Sequence, residues 1–192
     1  MRDGKKNGEY HRIGKPACIV YYENGKTKTE FWYQNGKEHR TDGPSRTDYY
    51  KNGDIETEQW CQNDRLHRTD GPARIDYRTD GTVSSEVWYQ NKILTRTGGP
   101  AATYYNKNGT VEYEQWCQNG QLHRDDGPAV IVYRENGTPE AEQWWKNDKP
   151  HRTDGPAYTE YDKNGSIRYE SWWKNGKQVA PPEKPEQQNP TR

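Results

Sequence analysis

Aromatic, aliphatic and polar positions follow one 28-residue pattern, which runs six times along the chain without insertion or deletion. Within each unit, Tyr, Trp, Ile, Val and Thr alternate with polar residues over short segments, which is typical of half-buried β-strands. No window has the 3.6-residue period of an amphipathic helix. The pattern therefore predicts antiparallel β-structure in a repeat architecture, where each unit contacts mainly its neighbours.

Four rows of equivalent residues define the register. They are a tryptophan row (Trp32, Trp60, Trp88, Trp116, Trp144, Trp172), a glutamate row (Glu30, Glu58, Glu86, Glu114, Glu142, Glu170), a tyrosine row (Tyr21, Tyr49, Tyr77, Tyr105, Tyr133, Tyr161) and a histidine row (His11, His39, His67, Thr95, His123, His151). We assign structural roles to the tryptophan and glutamate rows. A single catalytic centre does not need six copies, whereas a long binding surface does.

Two turn signals divide each unit. The first is Asn-Gly or Asp-Gly, as at Asn24-Gly25, and the second begins with Asn, as at Asn35-Gly36. Both suit two-residue type I′ turns, whose central residues need positive φ. Such turns fix the register of their flanking strands. They predict that Ile19 faces Glu30, that Tyr21 faces Lys28 and that Trp32 faces His39.

The strand alternation separates two faces of the predicted sheet. The unvarying positions, such as Ile19, Glu30 and Trp32, share one face, where a small residue such as Ala17 leaves room for the indole. The other face is variable and polar, apart from the residue after each Trp. We expect the first face to hold the aromatic core and the second to be largely exposed to solvent.

A linker of the form His-Arg-x-Asp-Gly-Pro joins successive units, as at residues 39–44. Pro lacks an amide donor and Gly tolerates unusual dihedral angles, so the linker should interrupt the ladder. The sequence predicts an all-β fold, an elongated sheet of antiparallel β-hairpins forming a single-layer twisted ribbon or an open solenoid. We assign residues 1–180 to one repeat domain with a C-terminal half-repeat cap. Residues 181–192, rich in Pro, Gln and Glu, are expected to be a disordered tail.

Composition by itself suggests disorder, because only 28% of residues are hydrophobic and the mean hydropathy is −1.54. Against this, the net charge is zero, and the 8 Trp and 15 Tyr are largely periodic. The balanced charge gives no general attraction to nucleic acid or anionic membranes. We find no membrane-spanning run and no signal peptide. The three cysteines suggest a reducing compartment, so we expect a cytoplasmic protein, in the host cytoplasm if it is viral.

The segments Tyr21–Lys26 and Tyr33–Lys37, together with the string from Trp144 to Ala157, resemble repeats of the MORN repeat variant family. The resemblance extends over about residues 5–178 and includes phage, giant-virus and bacterial proteins. It implies elongated hairpin sheets that bind proteins or, in some cases, lipids, and related bacterial variants include antitoxin-like proteins. The family has no catalytic residues to carry over, and no cofactor is expected.

The recurring arginines have two interpretations. A ladder of guanidinium groups about 9.5–10 Å apart faces a phosphate or carboxylate polymer, or each arginine forms an ion pair with a recurring acid such as Glu58 or Asp70. The candidates for partner binding in this row are Arg40, Arg68, Arg96, Arg124 and Arg152.

Metal binding and catalysis are less favoured interpretations. Equivalent histidines lie about two strands apart, too far to share one zinc ion, so a histidine stacked beside a tryptophan is preferred. No nucleophile recurs beside the histidines and no phosphate-binding loop is present, so we do not expect an enzyme.

The aromatic rows either stack sugars or bases or form the core. A mixed arrangement keeps the tryptophans in the core and lets variable tyrosines, above all Tyr50 and Tyr104, contact a partner. The fourth unit has gained aliphatic residues, Ile93 and Leu94, and has lost the histidine and the aspartate. We interpret Ile93 and Leu94 as a candidate contact patch, since exposed aliphatic residues are unusual on so polar a surface.

The sequence as a whole favours a non-enzymatic scaffold that binds a macromolecular partner. A protein partner is preferred, for example a host factor inhibited by a phage or viral protein, or the partner of an antitoxin-like protein. The alternatives are a glycan or other repetitive polymer bound by the Trp and Tyr rows, and anionic lipid or nucleic acid bound by the arginine ladder. A homodimer through a sheet edge or an aromatic face is also compatible with the pattern.

Overall fold

The computed structural model describes residues 2–183 and contains one long antiparallel sheet with a row of short hairpins along one side. In the long sheet, each strand pairs with the next one in the following order: Arg2–Asp3, Cys18–Tyr21, Thr27–Phe31, Arg46–Tyr49, Ile55–Gln59, Arg74–Tyr77, Val83–Val87, Ala102–Tyr105, Val111–Gln115, Val130–Tyr133, Pro139–Gln143, Tyr158–Tyr161, Ile167–Lys174 and Lys177–Val179. The first and last of these strands have one neighbour each, so the sheet does not close into a barrel. Residues 2–183 contain no helix. The predicted all-β hairpin-repeat sheet is confirmed.

The short hairpins form a second row beside the sheet. They pair Lys5–Lys6 with Glu9–Tyr10, Tyr33–Gln34 with Lys37–Glu38, Cys61–Gln62 with Arg65–Leu66, Tyr89–Gln90 with Ile93–Leu94, Cys117–Gln118 with Gln121–Leu122, and Trp145–Lys146 with Lys149–Pro150. Successive hairpins are joined by backbone bonds: Lys92 N donates to Leu66 O at 2.9 Å, and Gly120 N donates to Leu94 O at 3.1 Å. The units therefore contact their neighbours along both rows.

The second turn of each unit is a type I′ turn, as predicted. Asn35 and Gly36 have φ of 51° and 73°, and even Asn91 and Lys92 have φ of 51° and 69°. His39 N donates to Trp32 O at 3.0 Å, which confirms that Trp32 faces His39.

The first turn is not a type I′ turn, and that prediction is wrong. Gly25 N donates to Tyr22 O and Tyr22 N donates to Lys26 O, so the loop has three residues. The Asn24 side chain accepts a bond from Lys26 N at 3.1 Å, and only Gly25, at φ 80°, adopts the left-handed conformation. This is a type I turn followed by a glycine bulge. Ile19 therefore still faces Glu30, but the bulge makes Tyr21 face Thr27 instead of Lys28.

The face with the tryptophan row contains hydrogen bonds between neighbouring units. Ala73 is fully buried, and its carbonyl accepts a bond from Trp60 N at 2.8 Å. The hydroxyl of Tyr77 donates to Glu58 Oε2 at 2.8 Å, and the same bond links four other pairs of the tyrosine and glutamate rows: Tyr49–Glu30, Tyr105–Glu86, Tyr133–Glu114 and Tyr161–Glu142. Burial, followed by the charge of Glu30, raises the pKa of Tyr49 to about 12.

The opposite face is not largely exposed, contrary to the prediction. Val87, Ala102 and Val130 are buried there, and so is Thr29. The polar residues of this face bond to one another above the small ones: Thr29 Oγ1 donates to Asp48 Oδ1 at 2.8 Å, and Arg46 pairs with the same carboxylate. Both faces of the thin sheet are thus partly shielded from water.

The end of the last hairpin leads into an exposed segment without strand structure at residues 181–183. The rest of the predicted disordered tail, residues 184–192, lies outside the described part of the chain.

A candidate binding surface along the linkers

Five linkers place their arginine on the tryptophan of their own unit. The Arg40 guanidinium lies over the Trp32 ring at 3.7 Å, its Nε donates to Asp42 Oδ1 at 2.8 Å, and an Nη donates to Pro44 O at 3.3 Å. The stack recurs at Arg68–Trp60, Arg96–Trp88, Arg124–Trp116 and Arg152–Trp144, with ring distances between 3.7 and 4.3 Å. The hydrogen bond from Arg40 lowers the pKa of Asp42. Four of these arginines therefore pair with the aspartate of their own linker: Arg40, Arg68, Arg124 and Arg152.

The glycine of the linker is needed for space. A Cβ on Gly43 would lie 2.7 Å from Arg40 Cζ, and a Cβ on Gly71 would lie 2.6 Å from Arg68 Cζ. Neither glycine has a positive φ. The sequence argument from unusual dihedral angles is therefore wrong for these positions. The missing side chain is what lets the guanidinium lie between the indole ring and the backbone.

Clefts lie between successive linker loops at equivalent places in the repeat. Three are described, with volumes of about 500, 210 and 330 Å³. The largest is lined by two linkers and by Trp60, Gln62 and His67 between them. Arginine, aspartate, histidine and tryptophan side chains line each cleft. The linker loops thus form one continuous face with repeated polar clefts, which we call the linker face.

The histidine row connects consecutive units. His67 Nδ1 accepts a bond from the backbone N of Asn91 at 3.2 Å, and His151 Nδ1 accepts one from Asn175 N at 3.1 Å. In the fourth unit, Thr95 Oγ1 takes this place and accepts a bond from Asn119 N at 3.2 Å. Among residues 2–183, no three His, Cys, Asp or Glu side chains are grouped as a metal site would require.

The fourth unit interrupts the charge pairing of the linker face. Gly98 stands where the other linkers at residues 40–154 carry an aspartate, and it adopts a positive φ of 75°. Within the described residues, Arg96 forms no ion pair; it stacks on Trp88 at 4.0 Å and donates only to Pro100 O at 3.3 Å. On the same face, Ile93 at the hairpin tip is 46% exposed.

Ile93 and Leu94 do not form the single patch that their adjacency suggested. They are consecutive residues of one strand, paired with Gln90 and Tyr89 respectively, so their side chains point to opposite faces. Ile93 lies on the linker face, whereas Leu94 is half-buried on the other face. Strand alternation could have revealed this from the sequence.

The two candidate tyrosines also lie apart from each other. The Tyr50 hydroxyl donates to Tyr77 O at 2.7 Å, which joins neighbouring hairpins. Tyr104 is 43% exposed and packs edge-on against Tyr113 at 5.7 Å. Contact of these tyrosines and of the linker arginines with a partner stays a prediction.

The three cysteines, all within the described residues, are buried and form no disulfide. Burial raises the pKa of Cys61 to about 12 and also raises the pKa of Cys117. Burial therefore favours the protonated thiol at both positions.

In the described part of the chain, no helix has the length and apolar character needed to cross a membrane. No model of a known protein family matches the chain. A comparison with curated proteins also returns no match. The resemblance to the MORN repeat variant family stays a prediction.

Proposed function

We propose that this chain is a non-enzymatic repeat scaffold that binds a protein partner, with the contact centred on the linker face of the fourth unit. The observation that carries the proposal is the exposed Ile93 on the same face as Arg96, which has no carboxylate partner there. Aliphatic and arginine side chains of this kind are suited to the buried centre of a protein interface. An acidic residue of the partner would complete the pairing that Gly98 leaves open.

Equivalent positions in the neighbouring units support this choice. Lys37, Arg65, Gln121 and Lys149 occupy the place of Ile93. Arg68 and Arg124 are already paired with Asp70 and Asp126. The fourth unit therefore differs from both of its neighbours in charge and in polarity. A protein that binds at a single site on the repeat array would therefore bind at the fourth unit.

A second candidate function is the binding of a glycan or other repetitive polymer. It is favoured by the clefts that recur between the linker loops. The tryptophan row is less suited to sugar stacking, because five of its rings have an arginine over one face. The pairing of Arg40, Arg68, Arg124 and Arg152 with aspartates also weakens any attraction to anionic lipid or nucleic acid.

The biological setting that fits the proposal is a cytoplasmic inhibitor or antitoxin-like protein. The resemblance to repeats of phage, giant-virus and bacterial proteins supports this setting. In a phage or virus the partner would be a host factor, and in a bacterium it would be the protein that the antitoxin neutralises.

The test is a pull-down from lysate of the source organism with the full chain as bait, washed at two salt concentrations and read by mass spectrometry. Wild-type chain is compared with Ile93→Asp. Gln121→Asp is the matched control, because Gln121 is the equivalent exposed hairpin-tip residue one unit later. We expect one stoichiometric protein that survives both washes, is lost with Ile93→Asp and is kept with Gln121→Asp.

Three other results would contradict the proposal. Equal loss with Ile93→Asp and with the control Gln121→Asp would place the contact elsewhere. Capture of nucleic acid or membrane material that salt removes would favour the arginine ladder. Binding that falls stepwise when the fifth and sixth units are deleted would favour a polymer ligand.

A further inference from the structure

The last two units contain an uncharged aromatic cleft on the face opposite the linker face. It has a volume of about 350 Å³, and the rings of Trp145, Tyr158, Tyr169 and Trp173 line it. None of its lining residues is charged, although 30% of the chain is. The other four described clefts all have arginine or lysine in their walls. Tyr169 is 50% exposed, so the aromatic cleft is open to solvent.

The pair of indoles in this cleft is specific to the last two units. Trp145 and Trp173 each follow a tryptophan of the tryptophan row directly. The equivalent residues of the earlier units are Tyr33, Cys61, Tyr89 and Cys117. Equivalent positions of consecutive units lie two strands apart, or about 9.6 Å at ~4.8 Å per strand. The cleft therefore offers two separate aromatic surfaces.

Hydrogen bonds hold both indoles in place. Trp145 Nε1 donates to Gln143 Oε1 at 3.1 Å, and Trp173 Nε1 donates to Ser171 Oγ at 2.8 Å. An indole nitrogen can only donate, so the oxygen of the Gln143 amide must face Trp145. The Nε2 group of Gln143 is then left as a donor at the wall of the cleft. The two rings are thus fixed in orientation before any ligand binds.

Two polar groups of the cleft lack a hydrogen-bond partner among residues 2–183: Gln143 Nε2 and the Tyr169 hydroxyl. The equivalent groups of the fourth unit are bonded. There, the Tyr113 hydroxyl donates to Gln115 Oε1 and Gln115 Nε2 donates to Cys117 Sγ, both at 3.4 Å. The difference between the units therefore concerns groups that face the cleft.

Two substitutions in the repeat explain why these groups are free. The fifth unit keeps Gln143 but has Ala141 in place of the tyrosine, and the sixth unit keeps Tyr169 but has Ser171 in place of the glutamine. Each unit has thus lost one member of the tyrosine–glutamine pair. The remaining amide and hydroxyl are available to a ligand.

This combination of groups suits a neutral carbohydrate. A sugar ring presents C–H groups, which are attracted to the negative face of an aromatic ring. Its hydroxyl groups need a small number of well-placed polar partners, which Gln143 Nε2 and the Tyr169 hydroxyl supply. An acyl chain would leave both groups buried without a partner, which is costly. A phosphate or carboxylate ligand would find no cationic residue in the wall of the cleft.

We propose that this aromatic cleft binds a neutral oligosaccharide of at least two sugar rings. One ring stacks on Trp145 and another on Trp173, because indoles this far apart do not share a single ring. Gln143 Nε2 donates to one sugar oxygen, and the Tyr169 hydroxyl bonds to another. The site lies on the face opposite the linker face, so it is separate from the protein contact proposed for the fourth unit.

The test titrates the full chain with cellohexaose and with chitohexaose. The readout is the ¹H–¹⁵N spectrum, in which each of the 8 tryptophans gives one indole N–H signal. Trp145→Phe and Trp173→Phe assign the two relevant signals. We expect at least one of the two sugars to move both signals in a saturable way, while those of Trp32 and Trp60 stay in place.

A conservative variant tests the free hydroxyl. Tyr169→Phe keeps the ring and removes the hydroxyl, so the affinity for the sugar should fall about three- to tenfold. Tyr113→Phe is the matched control, because Tyr113 occupies the equivalent repeat position and its hydroxyl is already bonded within the fourth unit. Ile93→Asp should leave sugar binding unchanged, so this proposal and the proposed protein contact can fail independently.

Three results would overturn the proposal. Signals of Trp145 and Trp173 that stay in place with both sugars at millimolar concentration would exclude the oligosaccharide as the ligand. Movement of these signals by decaproline or dodecanoate, with no effect of the sugars, would assign the cleft to a proline-rich peptide or an acyl chain. Equal weakening by Tyr169→Phe and Tyr113→Phe would place sugar binding outside the cleft.

Discussion

The space left by the linker glycine leads to a sharp test at Gly71. Gly71→Ala places a Cβ about 2.6 Å from Arg68 Cζ, where no stable contact exists, so the guanidinium must leave Trp60. The backbone itself accepts alanine, because Gly71 has no positive φ. The substitution therefore acts through the displaced arginine and not through backbone strain.

The expected loss can be estimated from the contacts of Arg68. Its stack on Trp60, with the centroid at 4.3 Å and the side chain 25% exposed, contributes about 1 kcal/mol. The long bond to Pro72 O at 3.4 Å adds roughly 0.5 kcal/mol. The partner Asp70 is 82% exposed, and we assign its ion pair no stabilisation. Replacing glycine with alanine also restricts the unfolded chain, which stabilises the fold by about 0.5 kcal/mol. We expect a net loss of about 1 kcal/mol in the free energy of unfolding.

The assay is a double-mutant cycle in urea, followed by tryptophan fluorescence. Wild-type chain, Gly71→Ala, Arg68→Ala and the double variant are compared. Without the Arg68 side chain, Gly71→Ala has nothing to displace, so it should be neutral or slightly stabilising. The coupling free energy should then be about 1.5 kcal/mol. An equal cost of Gly71→Ala in both backgrounds would refute the argument that the glycine makes room for the guanidinium.

Three further predictions concern the turns and the hydrogen bonds between units. Lys92→Gly should raise the free energy of unfolding by about 0.5–1 kcal/mol. The reason is that Lys92 has a φ of 69°, a conformation that costs a residue other than glycine about 1–2 kcal/mol. An unchanged urea midpoint would contradict this prediction. Ser45→Ala should lower the free energy of unfolding by about 1–2 kcal/mol, because the buried hydroxyl donates to Glu38 and accepts from Cys61 N at 2.9 Å. Thermal melts measure the loss. Ala73→Gly is the comparison, since it changes the equivalent residue without removing a hydroxyl. The pKa of Tyr49 is raised to about 12 in the folded chain, above the unfolded value of about 10. Its contribution to stability is therefore present below about pH 10 and is lost as the pH rises towards 12. Tyr49→Phe should flatten the fall of the urea midpoint over that range, and an unchanged slope would contradict this assignment.

Local turn chemistry explains how much of the fold the sequence determined. The 28-residue period, the strand segments and the type I′ turns such as Asn35-Gly36 all follow from preferences of residues that are neighbours in the chain. The pairing of Ile19 with Glu30 also followed from this register. The first turn was mispredicted because Asn24 bonds to Lys26 and favours a three-residue loop, although the dipeptide Asn-Gly is the same.

Other features needed the tertiary structure, because they depend on contacts between residues that are distant in the chain. The Tyr77–Glu58 bond joins residues 19 positions apart. The cover of the second face by Arg46 and Asp48, and the stack of Arg68 on Trp60, depend on side-chain conformations. The cleft between Trp145 and Trp173 exists only where two units meet. The sequence by itself thus determined the repeat, its strands and half of its turns, since backbone preference is local. The tertiary structure decided which recurring side chains pair within a linker and which span neighbouring units. It also decided that Ile93 is exposed and that, within the described residues, Arg96 forms no ion pair.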